Sequence, residues 1–139
     1  MNSKKDILNQ IQALNKDTLM EVFDLKYTAF DGESLSAELP VSPKVHQPYG
    51  ILHGGVNAVL AETVGSLLSA LQYSPEDKKG AVGINIQVNH IKAVREGKVT
   101  AKASFLKKGR SVDYIEIEIR NDKNELTAQA TMTNKIIDL

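Results

Sequence analysis

Hydrophobic positions along the chain follow two different periods. Between Leu52 and Tyr73 the apolar residues, among them Val56, Val59, Leu60, Val64, Leu67, Leu68 and Leu71, point in almost every direction around a helix. A helix apolar on all sides is a buried helix that other elements wrap. Elsewhere the pattern alternates with period two. Leu25, Tyr27 and Ala29, then an Asp31-Gly32 turn, then Leu35, Ala37 and Leu39 predict a two-stranded hairpin. Four further strands are predicted over Val82 to His90, Val99 to Phe105, Val112 to Ile119 and Leu126 to Ile137, joined by polar turns. Ahead of all of these, Ile7, Leu8, Ile11 and Leu14 predict a short amphipathic helix, and Thr18 to Phe23 a second one.

Two strands, one long buried helix and four strands predict an α+β fold with an antiparallel sheet. A single sheet curled around one helix, the hotdog arrangement, is the simplest way to cover that helix. The length fits one domain over 1–139, with 1–23 as an N-terminal helical segment lying on it. Gly, Asn, Glu and Ser interrupt the helix too often for a membrane span, and a charge near its centre would be costly in lipid.

Lys plus Arg equals Asp plus Glu at 17 each, which argues against a nucleic-acid binder. Cys is absent, excluding a thiolate nucleophile, a disulfide framework and a Cys-based metal site. The first seventeen residues lack the apolar core of a secretory leader, so the expected location is cytoplasmic. Neither a cofactor nor a metal is expected.

Glu62 breaks the pattern. It is the one carboxylate in the apolar stretch from Val45 to Pro75, and a carboxylate there must be paired, hydrogen-bonded or turned toward a ligand cavity. The plain alternative is that the helix has a wet edge and Glu62 lies on it. The chemical alternative is a general base or nucleophile in a cleft.

The stretches HQPYGILHGGVNAVLAETVGS and GINIQVNHIKAVREGKV resemble the hotdog-fold acyl-CoA thioesterases of the PaaI-like group. Within that group they are most similar to 1,4-dihydroxy-2-naphthoyl-CoA hydrolases and the enterobactin-pathway proofreading thioesterase. The similarity covers roughly Tyr27 to Ile137, and the G-x-x-H-G-G pattern eight residues before a Glu carries most of it. The resemblance implies hydrolysis of acyl-CoA or aroyl-CoA without a metal, with the helix carboxylate role falling on Glu62. It also places Gln47 against the thioester carbonyl. His90, Lys108, Arg110 and Ser111 become candidates for binding the CoA nucleotide, within a segment holding seven basic residues from Lys92 to Arg110 against one acid, Glu96.

Thioester hydrolysis needs a group that attacks or activates water, and donors where the carbonyl oxygen becomes an oxyanion. Gly54 and Gly55 open the helix, where backbone N–H groups lack intrahelical partners and a ligand can approach closely. His53 could donate to the same oxygen or simply pack in the loop. Ser66, one turn after Glu62, could hold water or orient the carboxylate, or serve as a small packing residue.

Gly54 and Glu62 are eight residues apart, about 12 Å along a helix, so one carbonyl cannot sit about 3 Å from both. If both act on one thioester, they come from different protomers of a two-fold dimer with antiparallel central helices. The resembling families are dimers, often paired into tetramers. The acyl pocket would draw on residues such as Tyr49, Ile51, Val59, Thr63 and Leu68. A non-catalytic acyl-CoA sensor and a hotdog dehydratase are the competing readings, the latter without its His-based motif here. The pathway stays open between menaquinone synthesis, phenylacetate breakdown and proofreading.

Overall fold

Ser3 starts the first helix, α1 (Lys4–Ala13), with a reciprocal cap: its hydroxyl accepts from the Asp6 N–H while the Asp6 carboxylate accepts from the Ser3 N–H. The computed structural model describes residues 3–139, so Met1 and Asn2, the start of the expected helical segment 1–23, lie outside the described residues. A single turn, α2 (Leu19–Val22), follows. Ile11 is buried, and side chains at the end of α1 grip the first strand. Gln12 Nε2 and Asn15 Nδ2 each donate to the Leu25 carbonyl at 3.1 Å, and Gln12 Oε1 accepts from the Tyr27 N–H at 3.0 Å.

The strands are β1 (Lys26–Phe30), β2 (Ser34–Pro40), β3 (Lys79–His90), β4 (Lys98–Lys107), β5 (Val112–Arg120) and β6 (Leu126–Asp138). They form one six-stranded sheet in the order β1-β2-β4-β5-β6-β3, antiparallel throughout. The long helix α3 (Gly54–Ala70) crosses it and packs against β2, β3, β4, β5 and β6. Leu60, Val64 and Leu68 of the helix meet Leu35, Val99, Ile115 and Ile117 of the sheet in the core, all fully buried. This is the predicted hotdog arrangement.

Helix α3 begins at Gly54, where the Gly54-Gly55 pair was expected to open it, because the Leu52 N–H is taken by the Val94 carbonyl at 2.7 Å and His53 is the N-cap. Two details depart from the pattern. In β1 the register shifts between Tyr27 and Ala29, and this bulge turns Ala29 to solvent and Phe30 partly inward. Finally, the sheet does not enclose α3. Val56, Leu60, Ala61, Val64 and Leu68 are buried, whereas Val59, Thr63, Ser66 and Leu67 are only partly covered and Glu62 is exposed. The sheet ends at β3, which has one neighbour, and Val82 and Ile84 on it are 42% and 59% exposed. Among the described residues no helix is long and apolar enough to cross a membrane.

Candidate active site

The approach to α3 is set by backbone bonds. The Gln47 N–H donates to the Ile51 carbonyl and the Gly50 N–H to the Gln47 carbonyl, each at 2.9 Å, with Gly50 at φ +74° where a side chain would be strained. Gln47 Oε1 accepts from the Tyr49 N–H, which leaves the Gln47 amide NH2 free to donate elsewhere. His53 caps the helix: Nδ1 accepts from the Gly55 N–H at 2.8 Å. The neutral ring therefore carries its proton on Nε2, pointing away from the helix.

That cap corrects one expectation. The Gly55 N–H is occupied by His53 and is not available to a ligand, so of the two glycines only Gly54 has an N–H without an acceptor among the described residues. A Cβ on Gly54 would lie 2.9 Å from both Cε1 and Nε2 of His90, so the imidazole rests directly on this glycine. Asn57 Nδ2 stands 3.4 Å from His90 Nδ1. The structure thus joins His90, at the end of β3, to the donor cluster of His53 and Gly54. His53 and Gly55 border a hollow of about 320 Å³ together with Lys44, His46 and Val59.

Glu62 and Ser66 open into a different cavity, of about 440 Å³. Helix α3 supplies Val59, Glu62, Thr63, Ser66 and Leu67 to it, the N-terminal segment Leu14, Asn15, Leu19 and Met20, and the sheet Tyr27 and Ala81. The Glu62 carboxylate has no hydrogen bond or ion pair among the described residues, nor has the Ser66 hydroxyl. Thr63 differs, since its hydroxyl is spent on the Val59 carbonyl at 2.7 Å. Glu62 Oε1 comes within 3.2 Å of where a Cβ on Gly83 would sit, so the carboxylate leans over β3 at its bulge. Burial pushes the Tyr27 phenol up to about 12, so it is a neutral donor at physiological pH.

A polar network missed by the sequence reading fixes the far half of α3. Buried Asp113 accepts from the Ser69 hydroxyl at 2.7 Å and the Gly109 N–H at 2.9 Å. Asn134 Nδ2 donates to Ser69 Oγ at 2.9 Å and to the Gly65 carbonyl at 3.0 Å. The signal was available. Asp113 shares the two-residue phase of Ile115, Ile117 and Ile119, which places it on the inner face.

The basic candidates divide. Lys108 donates to Gln72 Oε1 at 2.6 Å, beyond the C-terminal end of α3, and Arg110 and Ser111 lie exposed on the adjoining loop. His90 stands against the opposite end of the helix, which is about 25 Å long.

A helix-on-sheet hotdog with an unpartnered carboxylate facing a cavity, and hydrogen-bond donors at the helix start, is the architecture of a thioester hydrolase. Residues 49–128 match the Thioesterase superfamily. The chain belongs to that family and is a thioesterase. It is 31% identical to the 1,4-dihydroxy-2-naphthoyl-CoA hydrolase of Escherichia coli, over 96% of this chain and 97% of that one. It is 32% identical to a proofreading thioesterase of Cronobacter turicensis, over 94% and 93% of the two chains. The crystal structure of a thioesterase from Haemophilus influenzae superposes with a TM-score of 0.89 at 33% identity, covering 100% of this chain and 93% of that one.

Proposed function

We propose that this thioesterase is a single hotdog domain that hydrolyses aroyl-CoA, such as 1,4-dihydroxy-2-naphthoyl-CoA, in a two-fold dimer whose active sites each draw on both protomers. The observation that carries this reading is the separation of the two half-sites. His53 borders one hollow and Glu62 a different cavity of the same chain, the two sharing only Val59, and Gly54 adjoins His53 at the start of α3 with Gln47 on the loop before it. In a dimer with antiparallel α3 helices, the donors of one protomer face Glu62 and Ser66 of its partner. The open β3 edge supports this, because a long edge strand with exposed Val82 and Ile84 invites a second strand. Antiparallel helices also bring Lys108, Arg110 and Ser111 of one protomer toward His90 of the other, where they bind the CoA phosphates. Gly55 contributes space rather than its N–H.

In the reaction, Gln47, His53 and Gly54 donate to the thioester oxygen as it gains charge. Along one route Glu62 takes a proton from water held by Ser66, water oxygen bonds to the carbonyl carbon, and the C–S bond breaks as the thiolate recovers the proton. Along the other, Glu62 attacks the carbon itself, expels the thiolate and leaves an anhydride that water opens. Thiol release from benzoyl-CoA and 1,4-dihydroxy-2-naphthoyl-CoA, by wild type and Glu62→Ala, tests the proposal. Turnover by wild type that falls at least about 10²-fold in the variant supports it. Binding of both thioesters without cleavage would make the chain a sensor instead.

A further inference from the structure

Helix α2 is a single turn, and it stands where the two cavities meet. Leu19 and Met20 line the Glu62 cavity, Phe23 just past the turn borders the His53 hollow, and Val59 of α3 borders both. No residue of α2 is buried, so the turn adds little to the core. Leu19 is 51% exposed, and Leu14, on the same cavity wall, is 65% exposed. Apolar side chains grouped at the surface beside a cavity point to contact with a ligand rather than to core packing.

The turn is fixed at both ends. Asp17 and Asp24 bracket it at φ +60° and +55°, a left-handed conformation that Asp adopts more readily than most residues. The Asp17 N–H donates to the Glu21 carboxylate, the Thr18 hydroxyl to the Asn15 carbonyl at 2.6 Å, and the Leu25 N–H to the Met20 carbonyl at 3.0 Å. Asp24 pairs with Lys44 at 2.6 Å, ahead of the loop that carries Gln47. A wall bonded at both ends keeps its position, whereas a loose strap would yield to any acyl group.

Along α3 the cavity runs from Val59 to Ala70, a rise of about 16 Å, with Glu62 near its Val59 end. Helix α2 belongs to that same end, because Phe23 reaches the hollow beside His53 and Gly55 at the start of α3. We infer that Leu19 and Met20 are specificity-determining residues, a fixed wall that limits the breadth of the acyl group just past the thioester. The inference rests on the proposed thioesterase site at Glu62, where the acyl group begins. It gives the N-terminal segment a part in substrate selection as well as in packing. In an apolar pocket, one methylene too many or too few changes kcat/KM by about 10- to 200-fold, so a single side chain on this wall is enough to discriminate.

The test compares kcat/KM for benzoyl-CoA, 2-naphthoyl-CoA and 2-anthroyl-CoA, a series of rising breadth, in wild type, Met20→Ala, Met20→Trp and Leu8→Ala. Met20→Ala is expected to raise the anthroyl-to-naphthoyl ratio by about tenfold, and Met20→Trp to lower the naphthoyl-to-benzoyl ratio by about tenfold. Leu8 packs on the core from α1 without lining the cavity, so Leu8→Ala loosens the segment and should leave both ratios within about twofold of wild type. An expected shift in either Met20 variant, with Leu8→Ala flat, supports the wall. Ratios within about twofold of wild type in both Met20 variants, or an equal shift in Leu8→Ala, overturn it while leaving the Glu62 site standing. Absence of thiol release by wild type from all three thioesters overturns both.

Discussion

Glu62 is visible in the sequence because an acid inside an apolar helix violates the rule that surrounds it, and the structure leaves it exposed on the uncovered side of α3, lining a cavity and without a partner among the described residues. Glu62→Gln, nearly isosteric, should lower kcat by at least about 10²-fold with an unchanged melting temperature, since no protein contact is lost. In a single turnover in H2(18)O, label in the Glu62 carboxylate marks the anhydride route, with water opening the anhydride at the Glu62 carbon. Gly54 offers a different signature. Alanine there suits the helix better by about 0.5–1 kcal/mol, yet its Cβ would displace the His90 ring. Gly54→Ala should therefore hold or raise the melting temperature while lowering kcat/KM for CoA thioesters. Residues such as Asn15 and Asn134 were not legible as special. Their hydrogen bonds, to Leu25 and to Gly65 and Ser69, run to partners distant in the chain.

At the scale of elements, periodicity was enough to place α1, α3 and all six strands, because burying one face imposes a period of two or 3.6 on any sequence. What it could not place are single-residue irregularities. The bulges in β1 and β3 each add one residue without breaking the apolar count, yet the second sits where Glu62 leans over the sheet. The Asp113, Ser69 and Asn134 network ties α3 to β5 and β6. Asp113→Ala strands the Ser69 hydroxyl and the Gly109 N–H in the interior. A loss of about 2–5 kcal/mol is expected, readable by urea unfolding as a lower midpoint with an unchanged slope. The β1–β2 turn carries a pH dependence. N–H groups of Glu33 and Ser34 donate to Asp31 and hold its carboxyl below the usual range. A lowered folded pKa adds stability above the unfolded value of 3.8 and loses it as pH falls through the folded value. The stability difference between wild type and Asp31→Ala should accordingly narrow on acidification below about pH 4, followed by unfolding curves at successive pH values.

For the whole molecule, the chain leaves two things open: the β3 edge of the sheet and the uncovered side of α3. The sequence predicted a helix enclosed on all sides, and one sheet covers only part of it. In the proposed dimer a second copy laid along β3, its helix antiparallel to the first, would cover the remainder and set the partner's Glu62 opposite Gln47, His53 and Gly54. The measurement that tests this most directly is complementation between two inactive chains. Glu62→Ala and Gln47→Ala proteins are assayed alone for thiol release from benzoyl-CoA, then unfolded together, refolded in equal amounts and assayed again. If each site joins two protomers, half the dimers are mixed and each mixed dimer has one intact site, so activity returns to about a quarter of wild type. A refolded mixture no more active than its separate parents would place the donors and the carboxylate of each working site in one chain, contradicting the shared site.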